Sequence, residues 1–398
     1  MNMQKKIVII NQHSGNYGDE AAGTAAMEQL RVHFPSANFR VVYNTQHLVN
    51  DPEVPTFGLG VTHYTSGKPT PADFFVLLAS YILSLDICKK WLSLYSQKLL
   101  EVIADADVIF VAPGGANIGI YHDWRYLIRI LLAIRMRKRP IFFLNTLGPS
   151  GDWRFDLVSM WLLRRSKVFV RERASELQLA KRGVSSSLGV DVAFSLPSIG
   201  RESCSQELVL IVSELGRFFR KHRGFDQLRF ENEICDGLLE EPSIEGRVIR
   251  LLPNSYGDLG EMPYLRHFRE VLLKKLQGKC SVLVDEPYST YRGYEERIAR
   301  AALVVSMRYH GVVLAALHGV PYVSISYENK MCEVAQYTGC RNSNIRISEW
   351  QAAKFASVLR YVVRNSASIR AELEARKGFL AELARLPSAY AWLLHERK

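Results

Sequence analysis

The sequence lacks the residue spacings that mark metal sites, disulfide frameworks and several common catalytic loops. Its six cysteines are scattered over 398 residues and no two form a C-x-x-C pair, so we expect reduced thiols and no metal site. There is no G-x-x-x-x-G-K-[ST] loop and no G-x-S-x-G turn, which argues against P-loop nucleotide-binding proteins and α/β-hydrolases. No internal repeat or low-complexity tract is present, which argues against a solenoid.

Long hydrophobic runs are absent as well. The run at residues 7–10 is too short for the apolar region of a signal peptide. The longest run, residues 74–85, is shorter than the roughly 20 apolar residues of a membrane-spanning helix. We therefore expect a cytoplasmic protein. Two interpretations of residues 74–85 remain: a core helix, which we favour, or a helix in a membrane interface with residues 89–91 at its end.

The composition is ordinary for a globular protein, apart from an excess of positive charge. Hydrophobic residues make up 48% of the chain, and its length favours two domains. The net charge of +11 suits an anionic partner, namely nucleic acid, a membrane face or a phosphorylated substrate, or simply a basic surface. Residues 125–139 and 217–223 are two basic stretches that would bind nucleic acid or lipid headgroups, although we favour solvated surfaces for both.

Short apolar runs alternate with helical patterns along the chain, which predicts parallel sheets covered on both faces. A break rich in Pro, Gly and Ser at residues 195–206 divides this alternation into two halves. We predict an α/β fold of two Rossmann-like domains facing a cleft, at 1–197 and 206–347, followed by a helical segment at 348–398. The predicted strands are residues 6–10, 39–43, 107–112, 141–145, 167–171, 208–213, 248–252, 281–284, 303–306 and 322–326.

The loop after the first predicted strand combines glycines with a helix start. Gly15 and Gly18 allow the backbone to approach a ligand closely, with Asn16 between them. The following helix N-terminus offers N–H groups and a positive dipole. The pattern is not the G-x-G-x-x-G dinucleotide motif. Asp19 is either a functional carboxylate or a helix cap, and Glu20 is better explained as a cap.

A second candidate site follows the predicted strand at residues 107–112. Gly114, Gly115 and Asn117 lie at its carboxyl end, where ligands bind in open α/β sheets. The alternative is a tight turn that binds nothing.

Two cations occupy comparable positions. Arg171 ends a predicted strand just before a helix, and Lys330 follows the strand at residues 322–326. A guanidinium in the first position would bind a carboxylate or phosphate through two parallel hydrogen bonds. From the residues alone, solvated side chains are the favoured interpretation of both.

The most informative pattern places Arg308 two residues before His310, between a buried strand and an apolar helix. Anions bind at such junctions, so Arg308 would hold a phosphate or carboxylate. His310 titrates near neutral pH and would donate or accept a proton. The alternative for His310 is a histidine that caps or packs against the helix start.

Taken in order, these patterns resemble the polysaccharide pyruvyl transferase family. The shared order of the motifs extends over residues 7–335, which makes the resemblance specific. The corresponding motifs are N-x-G-D-E at residues 16–20, the Gly-rich turn at 114–115, R-[DE]-x-x-S at 171–175, D-x-A-F at 191–194, and M-R-x-H, G-V-P and S-Y-x-x-K within 307–330.

The resemblance implies a fold like that of GT-B glycosyltransferases, with the active site in the cleft. It implies a cytoplasmic transferase with phosphoenolpyruvate as co-substrate and no cofactor or metal. The product is a pyruvate ketal on a sugar of an exopolysaccharide or its lipid-linked precursor, and a lipid-linked acceptor would bring the enzyme to the inner membrane face. The implied catalytic residues are His310, Arg308, Arg171 and Asp19, and the implied substrate-binding residues are Gly15, Asn16, Gly18, Gly114, Gly115, Asn117 and Lys330.

Two other functions remain compatible with the sequence. A glycosyltransferase that uses a nucleotide sugar would have the same paired domains, and its ligand preference would distinguish it. A basic protein that binds nucleic acid or an anionic membrane, without catalysis, would show salt-dependent binding that does not require Arg308.

Overall fold

Two parallel β-sheets organise the chain, each in its own unit. The computed structural model describes residues 4–44, 61–64, 67–200, 206–218, 225–256 and 260–396. Unit 1 consists of residues 1–14, 19–195 and 380–398, and unit 2 consists of residues 15–18 and 196–379. The prediction of two α/β domains with parallel sheets is confirmed, whereas the cleft stays a prediction.

The described strands of unit 1 form one seven-stranded sheet. They are β1 (Lys6–Gln12), β2 (Asn38–Tyr43), β3 (Val61–Tyr64), β4 (Val108–Val111), β5 (Ile141–Asn145), β6 (Lys167–Val170) and β7 (Ser186–Leu188). Their order is β3-β2-β1-β4-β5-β6-β7, and every neighbouring pair is parallel.

The described strands of unit 2 form a six-stranded sheet. They are β8 (Leu208–Ile211), β9 (Val248–Leu251), β10 (Ser281–Val284), β11 (Leu303–Ser306), β12 (Tyr322–Ser326) and β13 (Asn344–Arg346). Their order is β10-β9-β8-β11-β12-β13, again parallel throughout.

Helices connect these strands. The first set is α1 (Tyr17–His33), α2 (Pro71–Ala79), α3 (Leu85–Cys88), α4 (Leu94–Ala104), α5 (Trp124–Arg135), α6 (Trp153–Leu163) and α7 (Arg173–Ala180). The second set is α8 (Leu215–Phe218), α9 (Gln227–Leu239), α10 (Met262–Leu276), α11 (Tyr291–Arg300), α12 (Tyr309–Leu317), α13 (Asn329–Tyr337), α14 (Ala352–Arg364), α15 (Ser366–Ala384) and α16 (Leu386–Glu396).

The central strands are continuous apolar runs, as expected for parallel strands that are covered on both faces. Every residue of β4, β5, β8, β11 and β12 is buried. All ten predicted strands are present. The three strands that the sequence did not predict, β3, β7 and β13, have three or four residues each and lie at sheet edges, where a strand has little apolar surface to bury.

The C-terminal helices divide between the units. Residues 348–379 belong to unit 2, and residues 380–398 belong to unit 1. The segment predicted at 348–398 is therefore helical, but it is divided between the two units. In unit 1, Ser388 at α16 donates a hydrogen bond to Gln29 at 2.8 Å. The predicted break at residues 195–206 falls at the division between units, and its residues 201–205 lie outside the described part.

The apolar run at residues 74–85 is not the core helix that we favoured. Helix α2 ends at Ala79, and within it Asp73 and Leu77 are the buried residues. Phe75 is 68% exposed and Ile82, just beyond the helix, is 90% exposed. Among the described residues, no helix is both long enough and apolar enough to cross a membrane.

The basic stretch at residues 125–139 is not uniformly solvated. Arg129 is fully buried, and its guanidinium donates to Asn44 at 2.5 Å and to Tyr95 at 3.0 Å. Solvation is therefore wrong as an explanation for this residue. The side chains of the other basic stretch, residues 217–223, lie outside the described part.

A buried carboxylate fixes the start of α2. Asp73 accepts hydrogen bonds from Thr70 N at 2.7 Å, Ser93 N and Oγ at 2.7 Å each, and Ser96 Oγ at 2.9 Å. Burial alone would raise the pKa of Asp73, but these donors outweigh burial and hold the pKa below its ordinary value of 3.8. The carboxylate thereby ties α2 to the start of α4.

We predict that Asp73→Ala lowers the free energy of unfolding of unit 1 by about 2–4 kcal/mol at neutral pH, because four donors lose a charged acceptor. A group with a depressed folded pKa stabilises the protein above its unfolded pKa, and this contribution is lost as the pH falls through the folded value. In urea denaturation, the wild type and the variant should therefore differ most in their free energy of unfolding at neutral pH. This difference should become smaller below pH 3.8.

Asp86→Ala is the matched control, because Asp86 is an exposed acid nearby, 3.7 Å from Lys89. It should leave unfolding unchanged. An Asp73→Ala protein with the wild-type urea midpoint at neutral pH would contradict the role of this carboxylate.

Candidate functional site

Two neighbouring strands of unit 2 end side by side, and each leads into a helix. β11 leads through Arg308 into α12, and β12 leads through Glu328 into α13. The two strands pair in parallel. Both helix N-termini therefore lie at the same edge of the sheet, the one formed by the carboxyl ends of its strands. Neither Arg308 nor Glu328 caps its helix with its side chain. The positive ends of both helix dipoles therefore lie at this edge.

The turn between β11 and α12 is fixed by Ser306. Its hydroxyl accepts a hydrogen bond from Arg308 N at 3.0 Å and donates to Arg308 O at 2.8 Å. Gly311 allows α12 to lie close to the sheet, because a Cβ there would be 2.8 Å from Ile211 Cδ1. The position of Arg308 is therefore set by backbone contacts as well as by its side chain.

Arg308 is held by the buried carboxylate of Glu261. Its Nε and Nη2 donate to Oε1 of Glu261 at 3.1 and 2.5 Å, and the Glu261 side chain has no solvent exposure. Burial alone would lower the pKa of Arg308. The Glu261 carboxylate outweighs burial and raises the pKa above its ordinary value. The guanidinium is thus a permanent charge in a fixed orientation, and Glu261 accepts two of its five N–H donors.

Glu261 also holds the loop that precedes α10. Its Oε2 accepts from the backbone N of Asn254 at 2.8 Å and of Ser255 at 3.0 Å, and its Oε1 accepts from Ser213 Oγ at 2.5 Å. No sequence pattern singled out Glu261, because an acid next to a helix start is common and its side-chain partners Ser213 and Arg308 are distant in sequence. It is the organising residue of this site.

Residues 15–18 dock on the loop that Glu261 holds. Although the flanking residues belong to unit 1, this segment belongs to unit 2. Its backbone contacts are Tyr17 N to Asn254 O at 3.0 Å, Tyr256 N to Gly15 O at 3.1 Å, and an antiparallel bridge between Asn16 and Ser255.

Tyr17 anchors the same segment with its side chain. Its hydroxyl donates to Tyr288 O at 2.8 Å, and its ring stacks on Tyr294 with centroids 5.1 Å apart. Tyr17 is almost fully buried. The segment is therefore a built part of unit 2 in which the side chain at position 17 supplies the packing.

His310 packs directly against Gly18. A Cβ on Gly18 would overlap the His310 imidazole, so position 18 must lack a side chain while the imidazole keeps its place. His310 is 8% exposed, and its ring lies edge-on to Tyr309 at 5.0 Å between centroids. The sequence suggested that Gly18 admits a ligand, and the structure shows a protein side chain at that position.

Lys330 lies beside the same junction. Its Nζ is 2.6 Å from Glu328 Oε2 and 5.6 Å from the centroid of the Tyr309 ring. The Lys330 side chain is 11% exposed, so the favoured interpretation as a solvated lysine is wrong. Burial raises the pKa of Tyr327, although the positive charge of Arg308 opposes that effect.

Unit 1 has its own cluster at the carboxyl ends of β1, β4 and β5. Asn117 Nδ2 lies 2.8 Å from His13 Nε2, and a Cβ on Gly114 would lie 3.5 Å from His13 Cδ2. Thr146 N donates to Gly114 O at 3.1 Å, which ties the Gly-rich turn to the end of β5. His13 belongs to the first candidate loop, but its residue type and spacing gave no reason to select it.

Buried polar groups support this cluster from beneath. Asn145 Nδ2 donates to Ala112 O at 2.8 Å and to the Tyr126 hydroxyl at 3.2 Å. Burial raises the pKa of Tyr126, so its hydroxyl stays protonated. Asp19 lies in the first turn of α1, and its backbone carbonyl accepts from Gln12 Nε2 at 3.2 Å.

Arg171 forms a buried ion pair in unit 1. Its Nη1 lies 2.6 Å from Asp191 Oδ2, with side-chain exposures of 2% and 0%, and its Nε donates to Thr146 Oγ1 at 3.1 Å. The favoured interpretation as a solvated arginine is therefore wrong. Asp191 Oδ1 also accepts from Ala193 N at 2.9 Å, so the pair joins the end of β6 to the turn that follows β7.

The structure thus divides the predicted site residues into two groups. Gly15, Asn16, Gly18, Arg308, His310 and Lys330 lie in unit 2, and Asp19, Gly114, Gly115, Asn117 and Arg171 lie in unit 1. Within unit 2, the junction of β11 and β12 gathers two cations, one imidazole and two helix N-termini. That arrangement is suited to an anion that undergoes proton transfer.

Solved structures of similar fold define the class as GT-B. UDP-GlcNAc 2-epimerase from Neisseria meningitidis, bound to UDP-GlcNAc, gives a TM-score of 0.60 at 10% identity, covering 98% of this chain and 100% of that chain. UDP-GlcNAc 2-epimerase from Methanocaldococcus jannaschii gives 0.52 at 14% over 91% and 93%. A UDP-glucosyltransferase from Polygonum tinctorium gives 0.56 at 13% over 99% and 99%. At these identities the likeness shows the fold alone.

The family is shown by the sequence. Residues 16–329 match the polysaccharide pyruvyl transferase family, and the chain belongs to that family. The family membership that the motifs predicted is confirmed, and it implies a transferase. No curated protein matches the sequence.

We predict that Gly18→Ala displaces the His310 imidazole, because the new methyl group would occupy the space of the ring. Turnover should fall about 100-fold, the loss typical of a catalytic group that moves by roughly 1 Å. Histidine NMR of the full chain, with the His310 resonances assigned by His310→Gln, should show those resonances shifted in the variant.

Gly378→Ala provides the control, because Gly378 is a helical glycine with no atom within 4 Å of an added Cβ. It should leave both the resonances and the turnover unchanged. Unshifted His310 resonances in Gly18→Ala would contradict this prediction. They would show that the position of the imidazole does not require residue 18 to lack a side chain.

Proposed function

We propose that this transferase moves pyruvate from phosphoenolpyruvate onto two hydroxyl groups of a saccharide, forming a ketal and releasing phosphate. The observation that supports this most is the set of groups where β11 and β12 end side by side. Arg308 and Lys330 supply cationic groups, His310 supplies an imidazole, and two helix N-termini add the positive ends of their dipoles. Phosphoenolpyruvate presents a carboxylate and a phosphate, both of which suit such an environment.

Arg308 is the donor-binding residue in this proposal, and Glu261 positions it. A guanidinium held along its Nε–Nη2 edge keeps one orientation, so that an incoming anion meets a pre-organised partner. The nearby carboxylates Glu261 and Glu328 balance the formal charges of Arg308 and Lys330. The two helix N-termini therefore contribute to anion binding as well as the side chains.

His310 is the proton-transfer residue in this proposal. A proton is added to the CH2 carbon of the donor, which becomes a methyl group, and the two saccharide oxygens form bonds to C2. The bond between C2 and the phosphate oxygen breaks, and phosphate leaves with its oxygen. The two hydroxyl protons balance the step: one is equivalent to the proton gained at carbon, and the other leaves with phosphate. His310 delivers the first proton and Asp19 is a lesser candidate.

We assign the saccharide to the groups of unit 1. Gly114, Gly115 and Asn117 lie at strand ends, the usual ligand position in this fold class, and His13 lies beside Asn117. Arg171 remains a donor-binding candidate through its family motif. Its buried pair with Asp191 supports a positioning role instead.

We place the reaction in the cytoplasm. The five cysteines in the described part of the chain are free thiols and are buried, as expected in a reducing compartment. The acceptor is then a saccharide made on the cytoplasmic side.

A glycosyltransferase that uses a nucleotide sugar is the second candidate. It is favoured by one observation, since the Neisseria enzyme carries UDP-GlcNAc on the same fold. Fold alone does not fix the donor, and the family favours pyruvyl transfer.

We predict saturable binding of phosphoenolpyruvate by isothermal titration calorimetry at physiological salt, weakened at least about 10-fold in Arg308→Ala through the loss of charged hydrogen bonds. His310→Ala should bind the donor as the wild type does. Its phosphate release in the presence of acceptor should fall by about 10²–10⁴-fold, the usual contribution of a general acid.

Arg266→Ala is the matched control, because Arg266 is an exposed arginine of unit 2 paired with Glu286 at 3.0 Å. It should bind the donor normally. Binding of UDP-GlcNAc in place of phosphoenolpyruvate would move the assignment to glycosyl transfer. Full turnover in His310→Ala would remove His310 from the mechanism.

A further inference from the structure

An apolar groove opens on the surface of unit 1. Helices α2, α5 and α6 line it, and its volume is about 990 Å³. Phe75 and Leu78 from α2 and Trp153 and Leu157 from α6 line the groove, and each of them is exposed. Such exposed patches mark binding surfaces when they are contiguous.

The segment after α2 extends this surface. Ile82 and Trp91 are exposed there, and Tyr81 meets Trp161 of α6 edge-on at 5.8 Å between ring centroids. Phe74 meets Trp124 of α5 at 5.3 Å. We call the exposed set Phe75, Leu78, Ile82, Trp91, Trp153 and Leu157 the docking face.

Cations lie over the aromatic rings in and beside the docking face. The guanidinium of Arg154 lies 5.4 Å from the Trp153 ring, and that of Arg165 lies 4.0 Å from the Trp161 ring. The other two pairs are Arg135 over Tyr81 at 5.0 Å and Lys90 over Trp91 at 5.4 Å. The apolar surface therefore carries positive charge around its aromatic members.

The basic residues of these segments outnumber the acids, even without the buried Arg129. Residues 71–98, 120–139 and 150–165 contain twelve Lys or Arg and five Asp or Glu. Four of the five acids act as internal acceptors: Asp73 holds α2, Asp123 and Asp152 cap α5 and α6, and Asp156 accepts from Ser150. A cationic rim is left around an apolar centre.

We propose that the docking face binds unit 1 to an anionic lipid bilayer. Phe75, Leu78 and Ile82 would enter the acyl boundary, and Trp91 and Trp153 would lie at headgroup level, where tryptophan is enriched. Arg154, Arg165 and Lys90 would meet lipid phosphates. Long cationic side chains keep their charged ends in the polar layer while their stems lie along apolar surface.

Charge complementarity selects the bilayer over a second copy of this chain. Self-association through the docking face would bring two cationic rims together, which is unfavourable. Nucleic acid would satisfy the cations but would leave the aliphatic side chains of Leu78, Ile82 and Leu157 in water. An anionic bilayer satisfies both the apolar centre and the rim.

The groove also reaches the Gly-rich turn of unit 1, because Asn117 and Tyr121 belong to its lining. Under the proposed function, a docked enzyme would thus take its saccharide from a lipid carrier at that turn. This last step rests on pyruvyl transfer, whereas the docking itself does not. The two proposals can therefore fail separately.

Flotation of the full chain with vesicles of equal parts phosphatidylglycerol and phosphatidylcholine tests the proposal. We expect binding to these vesicles, with a blue shift of tryptophan fluorescence, and about tenfold weaker binding to pure phosphatidylcholine. The double variant Phe75→Ser with Ile82→Ser should bind about tenfold more weakly. Arg154→Glu with Arg165→Glu should weaken binding by a similar factor.

Matched controls lie on unit 2. Leu228 and Phe379 are exposed apolar residues there, so Leu228→Ser with Phe379→Ser should bind vesicles as the wild type does. Arg229 and Arg266 are exposed cations, and Arg229→Glu with Arg266→Glu should also leave binding unchanged. Circular dichroism and donor binding by each variant verify that it is folded.

Three results would overturn the proposal. The first is an absence of binding to the anionic vesicles. The second is binding that survives Phe75→Ser with Ile82→Ser, which would indicate surface adsorption by charge alone. The third is a dimer in sedimentation analysis that requires Phe75 and Ile82, which would place a second copy on the docking face. Loss of vesicle binding with donor binding intact would leave the proposed function standing.

Discussion

The unit 2 site depends on the buried carboxylate of Glu261. A charge without solvent is costly unless it is paired and hydrogen-bonded, and Glu261 meets this requirement with donors from Ser213, Arg308 and the loop at residues 254–255. One interaction therefore orients the guanidinium and fixes the loop on which residues 15–18 dock. Through that segment, Gly18 comes to lie against His310. Removing the carboxylate would release each of these elements.

Unit 1 uses the same principle with the signs reversed. The buried cation Arg171 is satisfied by Asp191 and Thr146, and the pair joins two chain segments next to a sheet edge. Arg171 and Asp191, which each belong to a motif of the family, are thus held in the interior of unit 1. A family motif can therefore record a structural requirement as well as a chemical one.

The surface of unit 1 shows that a hydrophobic run need not be a buried one. Asp73 draws α2 onto the unit through four hydrogen bonds, and Leu77 alone among its large apolar residues is buried. Phe75 and Leu78 are exposed, near arginines that lie over aromatic rings. Because the Asp73 carboxylate positions α2, the exposed hydrophobic residues of the helix can contact a binding partner.

The sequence by itself determined the parallel α/β architecture, since ten strands were predicted from local apolar alternation, and it identified Arg308 and His310, which are two residues apart in one turn. Tertiary structure alone decided that Arg308 is oriented by Glu261, which lies 47 residues away in the sequence. It also decided that the His310 ring occupies the space left by the missing side chain of Gly18. It also decided the short edge strands β3, β7 and β13 and the exposure of Phe75 and Ile82. Hydrophobic periodicity indicates the local secondary structure of a segment. Burial and side-chain pairing depend on groups that are distant in sequence and that only the folded chain brings together.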